Sequence, residues 1–212
     1  MNCPFDIYKG IQMEIDPKQL NPSQTYDLMI SIIVPRPIAF VSTISSDGLL
    51  NAAPFSFFNG ISTDPPLVAI SIARRGQEKK GTLRNIEETG EFVVNLVDED
   101  LAEGMNRAAV NYPPNTNKFD AAGLTAKPSV KVKPPRIGEA PISLECRLVQ
   151  VMPLPESKDA LVIGRVVYIY LKDDLWRNGT VDPARLRAIG RLGQSNYCRI
   201  RDMFGLERPQ TG

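Results

Sequence analysis

The sequence predicts a mainly β fold, a closed or nearly closed antiparallel barrel of about six strands with peripheral α-helices. Segments with strand patterns are joined mostly by loops or short helices, and Gly164 interrupts the longest of them. A glycine inside a strand is typical of a β-bulge, which bends strands in barrels. A doubly wound α/β fold needs more long helices than this sequence contains.

The first predicted element is a helix over residues 21–33. Asn21 suits the N-cap, Pro22 suits the first helical position, and Gln24 stands where a capping-box partner belongs. Apolar residues follow at helical spacing. Two prolines come next and end the helix, because proline cannot continue its backbone hydrogen bonding.

The pattern changes from helical to β after these prolines. Two runs of branched and aromatic residues flank the turn signal Ser46-Asp47-Gly48 and predict a hairpin. A short helix over residues 82–89, ending at Gly90, is predicted between the third and fourth strands. The six predicted strands cover residues 38–45, 50–58, 67–73, 91–97, 142–148 and 161–171.

The composition fits one domain over residues 1–212 and excludes several chemistries. The chain has 25 Lys and Arg against 24 Asp and Glu, a formal net charge of +1, and no histidine. Ser-His-Asp and Cys-His nucleophile activation and histidine metal sites are therefore excluded. Near-neutral charge argues against a general nucleic-acid or membrane-surface binder. Catalysis would have to use side chains other than histidine, or a bound cofactor.

Cysteine usage and the N-terminal sequence indicate a cytoplasmic protein. Cys3, Cys146 and Cys198 are odd in number and form no CxxC pair, so neither a zinc site nor a disulfide framework is indicated. The first twenty residues contain no apolar signal region, and no stretch approaches the ~18 apolar residues that span a bilayer. We expect a soluble protein that is not exported and holds no metal.

Small polar residues interrupt the predicted hairpin strands. Alternation along the second strand places Asn51, Ala53 and Phe55 on one face and Ala52 on the other. Pro54 cannot donate to a β-ladder, which indicates an edge or bulged strand. The unpaired backbone groups of such an edge suit a planar heterocycle with alternating donors and acceptors. An ordinary β-edge with surface hydroxyls fits the residue types equally well.

A second candidate site is a cationic stretch before the predicted short helix. Arg74, Arg75, Lys79 and Lys80 precede Thr82, which can cap that helix. The free N–H groups and positive dipole end of a helix N-terminus, with adjoining cations, are typical of a phosphate site. A solvated loop is the alternative. Walker A and GxGxxG motifs are both absent, which excludes an ordinary nucleotide-binding loop.

Several motifs together resemble the flavin reductase-like family. They are Arg36-Pro37, VSTISSDGLLNAAPFSFFNGISTDPPLVAISI, Lys80-Gly81-Thr82, Asn85-Ile86, GEFVVNLV, NKFDAAGLT, IGRVVYIYL and GRLGQSNY. The resemblance runs from about Pro35 to Tyr197. It implies a six-stranded antiparallel Greek-key split barrel that binds FMN, or alternatively FAD, and a homodimer with the flavin near the subunit interface.

The resemblance also assigns cofactor contacts. The residues that would hold the flavin phosphate are Arg36, Lys80 and Thr82, with Ser42 or Thr43 nearby. Those that would contact the isoalloxazine ring or ribityl chain, largely through backbone groups, are Asn51, Ala52, Ala53 and Ser56, with Phe57 packing alongside. Tyr197 is a candidate for the cofactor or substrate side, or else closes a hydrophobic cluster. Gly81 stands where the family commonly has Asp, so the contact of that carboxylate is missing. No catalytic residue is identified.

The activity that the resemblance implies is a flavin-dependent oxidoreductase. Hydride would pass from NADH or NADPH to the flavin, and electrons then to a second flavin, a metal chelate or a partner oxygenase or redox protein. One alternative is a flavin-binding electron carrier or storage protein without nicotinamide oxidation of its own. A non-flavin barrel that serves as an interaction module is another.

Overall fold

Strands dominate the computed structural model, which describes residues 13–73 and 81–209. The main-sheet strands are β1 (Ala39–Ile44), β2 (Leu50–Phe55), β3 (Phe58–Thr63), β4 (Pro66–Ala73), β5 (Glu91–Asn95), β8 (Ile142–Pro153) and β9 (Asp159–Leu171). The short strands, paired two by two, are β6 (Ala126–Lys127), β7 (Arg136–Ile137), β10 (Trp176–Arg177), β11 (Thr180–Val181), β12 (Ile189–Arg191) and β13 (Tyr197–Arg199). The helices are α1 (Pro22–Ile32), α2 (Gly81–Thr89), α3 (Ala102–Ala108), α4 (Lys118–Ala122) and α5 (Pro183–Leu186), with 3-10 turns at Pro17–Gln19 and Asp173–Leu175.

The main sheet has seven antiparallel strands in the order β2-β1-β5-β8-β9-β4-β3. The prediction of a six-stranded Greek-key sheet is therefore wrong in strand number, and β3 is the added strand. Its Asn59-Gly60 pair is typical of a turn, and most of its side chains are exposed, so its sequence lacks a strand pattern. The second hairpin strand, predicted over residues 50–58, ends at Phe55.

Two hydrophobic clusters pack on opposite faces of the main sheet. Val41 of β1 belongs to a cluster that α2 and most main-sheet strands share. Phe55 of β2 and Phe58 of β3, from the two end strands, pack on this same cluster, so the sheet curls around it as a barrel. Phe40 of β1 faces the other cluster, which contains residues of α3 and α4. The predicted antiparallel barrel with peripheral helices is confirmed at this level.

Helices α1 and α2 form where the sequence predicted them. The Asn21 side chain accepts from the Gln24 N–H at 2.9 Å, and the Gln24 side chain accepts from the Asn21 N–H at 3.0 Å, which completes the predicted capping box. Helix α2 ends before Gly90, whose φ of +71° lies in the left-handed region. Among the described residues, every helix is too short or too polar to cross a membrane.

The bulge predicted from Gly164 lies in the partner strand. Leu148 of β8 pairs with Gly164, but the next paired residues are Gln150 and Ile163, so β8 has one extra residue there. Gly164 itself meets a different requirement. A Cβ at this position would lie 2.3 Å from Cζ of the Phe92 ring, so only glycine fits without a shift of the core.

Gly164→Ala is expected to destabilise the fold by about 1–3 kcal/mol, because the added methyl group overpacks the core around the fully buried Phe92. The free energy of unfolding in urea measures the effect. Gly60→Ala is the matched control, since a Cβ at Gly60 in the same sheet meets no atom within 4 Å. Equal losses of stability in the two variants would contradict the packing argument.

Candidate functional site

An open cavity of about 350 Å³ lies beside β2 and the start of α2; we call it the first cavity. Asn51, Ala53 and Phe55 line it, as the alternation along β2 predicted. Among the described strands β2 pairs with β1 alone, which confirms the edge strand inferred from Pro54, without a bulge in its register. Several residues of the segment 108–118 also line this cavity.

Four side chains connect β1, β2 and α2 through one hydrogen-bonded network beside this cavity. Asn51 Nδ2 donates to Thr43 Oγ1 at 3.1 Å and to Thr82 Oγ1 at 2.9 Å. Asn85 Nδ2 also donates to Thr43 Oγ1, at 3.1 Å. The fold therefore brings together three of the predicted site residues, Thr43, Asn51 and Thr82, and adds Asn85 to them.

Asn85 is the site residue that sequence reasoning missed as a contact. Its side chain is buried, yet its Oδ1 atom has no hydrogen-bond partner in the part of the chain that the structure describes. By contrast, the buried Asn95 amide donates to Phe40 O and Ser42 Oγ and accepts two further hydrogen bonds. An unpaired buried polar atom costs roughly 1–3 kcal/mol, so a donor in the cavity would stabilise Asn85 Oδ1.

A second cavity of about 260 Å³ adjoins the first and shares Pro54, Phe55 and Ala109 with it. Its other lining residues are Tyr26, Ile30, Arg36, Ile38, Ser56, Met105, Asn106, Arg191 and Tyr197. The fold therefore separates Arg36 from Thr82, two residues that the family resemblance assigns to the same phosphate group.

The guanidinium group of Arg36 is buried and bound to backbone carbonyls. Its Nη1 donates to the carbonyls of Ile30 and Ile33 at the C-terminal end of α1, and its Nη2 donates to Leu192 O at 2.9 Å. Burial lowers the pKa of Arg36, and the nearby charge of Arg191 lowers it further. Arg36 thus joins α1 to the segment that follows β12.

Two other predicted contacts face away from the cavities. Ser42 lies on the face of β1 opposite to Thr43, where its hydroxyl donates to Pro135 O at 2.6 Å. The side chain of Ala52 packs in the cluster that contains Phe40. Only backbone groups of Ala52 remain available to a molecule at the edge of β2.

The last predicted contacts lie near the second cavity or outside the described residues. Ser56 Oγ accepts from Arg36 Nε at 3.4 Å. The ring centroid of the partly exposed Phe57 is 5.9 Å from the Arg36 guanidinium carbon. The residues of the cationic stretch outside the described ranges are Arg74, Arg75, Lys79 and Lys80.

Tyr197 contributes an aromatic wall to the second cavity. The guanidinium carbon of Arg191 lies 4.4 Å from the Tyr197 ring centroid, a cation–π distance. Arg191 Nη2 also donates to Gln194 O. Tyr197 is partly exposed and belongs to neither hydrophobic cluster, so its surroundings are those of a cavity residue.

Glu99 anchors the C-terminal segment that carries Tyr197. Its carboxylate accepts hydrogen bonds from Arg199 Nε and Arg201 Nε, each at 3.0 Å, and lies 3.6 Å from Arg187 Nη2. The hydrogen bond from Arg201 is the main reason that the pKa of Glu99 falls to about 2.

Acidification is expected to release this segment. Because the pKa of Glu99 in the fold lies below the unfolded value of about 4.3, its ionised form stabilises the fold above that pH, and the contribution is lost as the pH falls toward 2. Glu99→Gln should release β13 already at pH 7. Amide hydrogen exchange of β13 measures this, with Glu103→Gln as the control because Glu103 is exposed. Unchanged exchange in Glu99→Gln would contradict the anchor.

Comparison with known proteins links this geometry to one domain type. The pattern described as a flavin reductase like domain matches residues 31–185 of the chain. The matched residues include β1 to β9, α2 and most of the residues that line both cavities.

Solved structures share the fold over nearly the whole chain. Nitrilotriacetate monooxygenase component B from Bacillus cereus is 36% identical, with a TM-score of 0.91 over 93% of this chain and 100% of that one. The 2-nitrobenzoate 2-nitroreductase NbaA from Pseudomonas fluorescens is 36% identical, with a TM-score of 0.81 over 93% and 96%. A protein from Shewanella frigidimarina with a split-barrel domain is 21% identical, with a TM-score of 0.83 over 93% and 100%, and shares the fold.

Proposed function

The chain belongs to the flavin reductase-like family, and from that premise we propose that it is an FMN-binding oxidoreductase that uses NADH or NADPH. When bound, the flavin supplies the hydride and electron chemistry, which suits a protein without histidine. The acceptor would be a second flavin, a metal chelate or a partner oxygenase or redox protein. A 36% identical relative is the B component of a monooxygenase, which favours the oxygenase. FAD in place of FMN would present the same ribityl group.

Asn85 lines the first cavity, and its buried Oδ1 atom has no hydrogen-bond partner among the described residues; this is the observation that carries the proposal. The ribityl chain of a flavin has hydroxyl groups that both donate and accept hydrogen bonds. One hydroxyl can therefore donate to Asn85 Oδ1, while others meet the Asn51 amide and the Thr82 hydroxyl, which also line this cavity. The donor set of the first cavity thus fits a polyhydroxy chain.

The phosphate group would lie at the start of α2. Gly81 and Thr82 line the first cavity there, and the positive end of the helix dipole favours an anion. Lys80 precedes them in sequence and would add a positive charge. Gly81 stands where the family commonly has Asp, so the contact of that carboxylate would be missing here.

The isoalloxazine ring would meet the free edge of β2. Ala53 lines the first cavity there, and the backbone of Ala52 lies on the same edge strand. Ser56 and Tyr197 line the second cavity and Phe57 lies beside Arg36, so these three residues would contact the flavin from that side. Arg36 would hold this part of the structure in place, because its Nη donors are bound to backbone carbonyls.

We extend the proposal to a homodimer with the flavin near the subunit interface, in the cytoplasm. Exposed apolar side chains on the main sheet, such as Ile61 of β3 and Ile169 of β9, would be buried in such a contact.

Flavin binding and reduction test the proposal in two steps. Protein purified with visible flavin absorbance, or protein that quenches FMN fluorescence on titration, is expected. Anaerobic mixing with NADH or NADPH should then bleach the bound flavin rapidly. The absence of any flavin binding would overturn the proposal.

The second candidate function is a flavin-binding electron carrier or storage protein. It would use the same flavin-binding cavity, because the flavin carries the electrons in both functions. Bleaching by dithionite or a protein reductant, but not by NADH or NADPH, would establish this function instead.

A further inference from the structure

We infer that the second cavity is a binding site for a single-ring aromatic carboxylate. The inference concerns binding alone and does not require the flavin. It rests on three properties of the cavity: its positive charge, its aromatic walls and its size.

The charge of the second cavity is positive. Arg36 and Arg191 both line it, and none of the lining residues is acidic. Within residues 13–73 and 81–209, neither guanidinium group forms an ion pair with a carboxylate. Burial lowers the pKa of Arg36 and the nearby charge of Arg191 lowers it further, so an anion in this cavity would be stabilised by both cations.

The charge balance favours a monoanion over a phosphate dianion. Arg36 already meets the negative end of the α1 dipole through the carbonyls of Ile30 and Ile33. The Arg191 guanidinium donates to Gln194 O and stacks on the Tyr197 ring, and neither of these partners carries a formal negative charge. The Arg191 guanidinium group therefore remains available to the ligand. Its paired N–H donors match the two oxygens of a carboxylate.

The remaining walls suit an aromatic ring. Tyr26, Phe55 and Tyr197 line the cavity together with apolar side chains such as Ile30 and Met105. Aromatic rings pack well against such side chains in edge-to-face or offset arrangements. A cavity of ~150 Å³ accommodates benzene, so about 260 Å³ accommodates one substituted ring.

The position of the cavity gives such a ligand a role if the proposed function holds. The second cavity meets the first at Pro54, Phe55 and Ala109, so a bound aromatic acid would lie beside the flavin. This role rests on the proposed function, whereas the binding site itself does not.

Calorimetric titration of the purified protein with benzoate tests the inference. Benzoate should bind more tightly than three other ligands. These are benzyl alcohol, which is neutral, acetate, which lacks a ring, and inorganic phosphate. Arg191→Gln should weaken benzoate binding about ten-fold or more. Arg185→Gln is the matched control, because Arg185 pairs with Asp182 on α5 and lines neither cavity.

Three results would overturn the inference. The first is that benzyl alcohol or acetate binds as tightly as benzoate, and the second is that phosphate binds more tightly than benzoate. The third is that Arg191→Gln binds benzoate as tightly as the unaltered protein does. The ligand comparison uses the unaltered protein, so it holds even if Arg191→Gln fails to fold, and Arg191→Lys then supplies a milder variant. Benzoate binding to protein that takes up no flavin would refute the proposed function and leave this site standing.

Discussion

Lys80→Ala is expected to weaken FMN binding by about ten-fold or more and to leave riboflavin binding nearly unchanged. Riboflavin lacks the phosphate group, so only FMN loses the charge-assisted contact, which contributes about 1.5–3 kcal/mol. Fluorescence quenching titrations with both flavins measure the two dissociation constants. Raising the salt concentration should narrow the difference between FMN and riboflavin in the unaltered protein, because salt screens the phosphate contact.

Two further variants make this result specific. Lys158→Ala removes an exposed lysine from the loop between β8 and β9 and should leave both affinities unchanged. Thr82→Ala should weaken the binding of both flavins. Thr82 lines the first cavity, and its hydroxyl oxygen accepts a hydrogen bond from Asn51 Nδ2 at 2.9 Å. Equal losses of FMN and riboflavin affinity in Lys80→Ala would show that the phosphate lies elsewhere.

Asn85→Leu is expected to lower the affinity for FMN and riboflavin by roughly three- to ten-fold while sparing lumiflavin. Lumiflavin has the ring system but no ribityl hydroxyls, so it cannot use the Asn85 Oδ1 acceptor. The magnitude is that of one hydrogen bond, about 0.5–1.5 kcal/mol. Thr43 Oγ1 keeps its hydrogen bond from Asn51 in this variant, so the network survives in part.

Stability provides an independent test of the same atom. Replacing Asn85 removes a buried polar oxygen that has no partner among the described residues, so the ligand-free variant should lose little stability on thermal unfolding. The same loss of affinity for all three flavins would assign Asn85 to general packing of the cavity and contradict a ribityl contact.

Much of the fold follows from local patterns in the sequence. The capping box of α1, the hairpin of β1 and β2, and the alternation along β8 depend on residues a few positions apart. β3 lacks such a pattern, because it is an edge strand whose side chains are mostly exposed. Its position is determined by pairing with β4, which local sequence does not reveal.

The sequence by itself determined which chemistries are excluded and which face of β2 lines the first cavity. The absence of histidine excludes imidazole catalysis, and strand alternation places Asn51 and Ala53 together. Both conclusions need only composition or a period of two residues. The family resemblance added an expected cofactor and expected contacts, again without any distances.

Only the tertiary structure decided how the candidate residues are grouped. It brings Thr43 to Asn51, Thr82 and Asn85, turns Ser42 to the opposite face, and moves Arg36 into a separate cavity with Arg191. The physical reason is that hydrogen bonds between residues far apart in sequence depend on strand register and helix packing. The same pairing leaves Asn85 Oδ1 without a hydrogen-bond partner among the described residues, beside the candidate site.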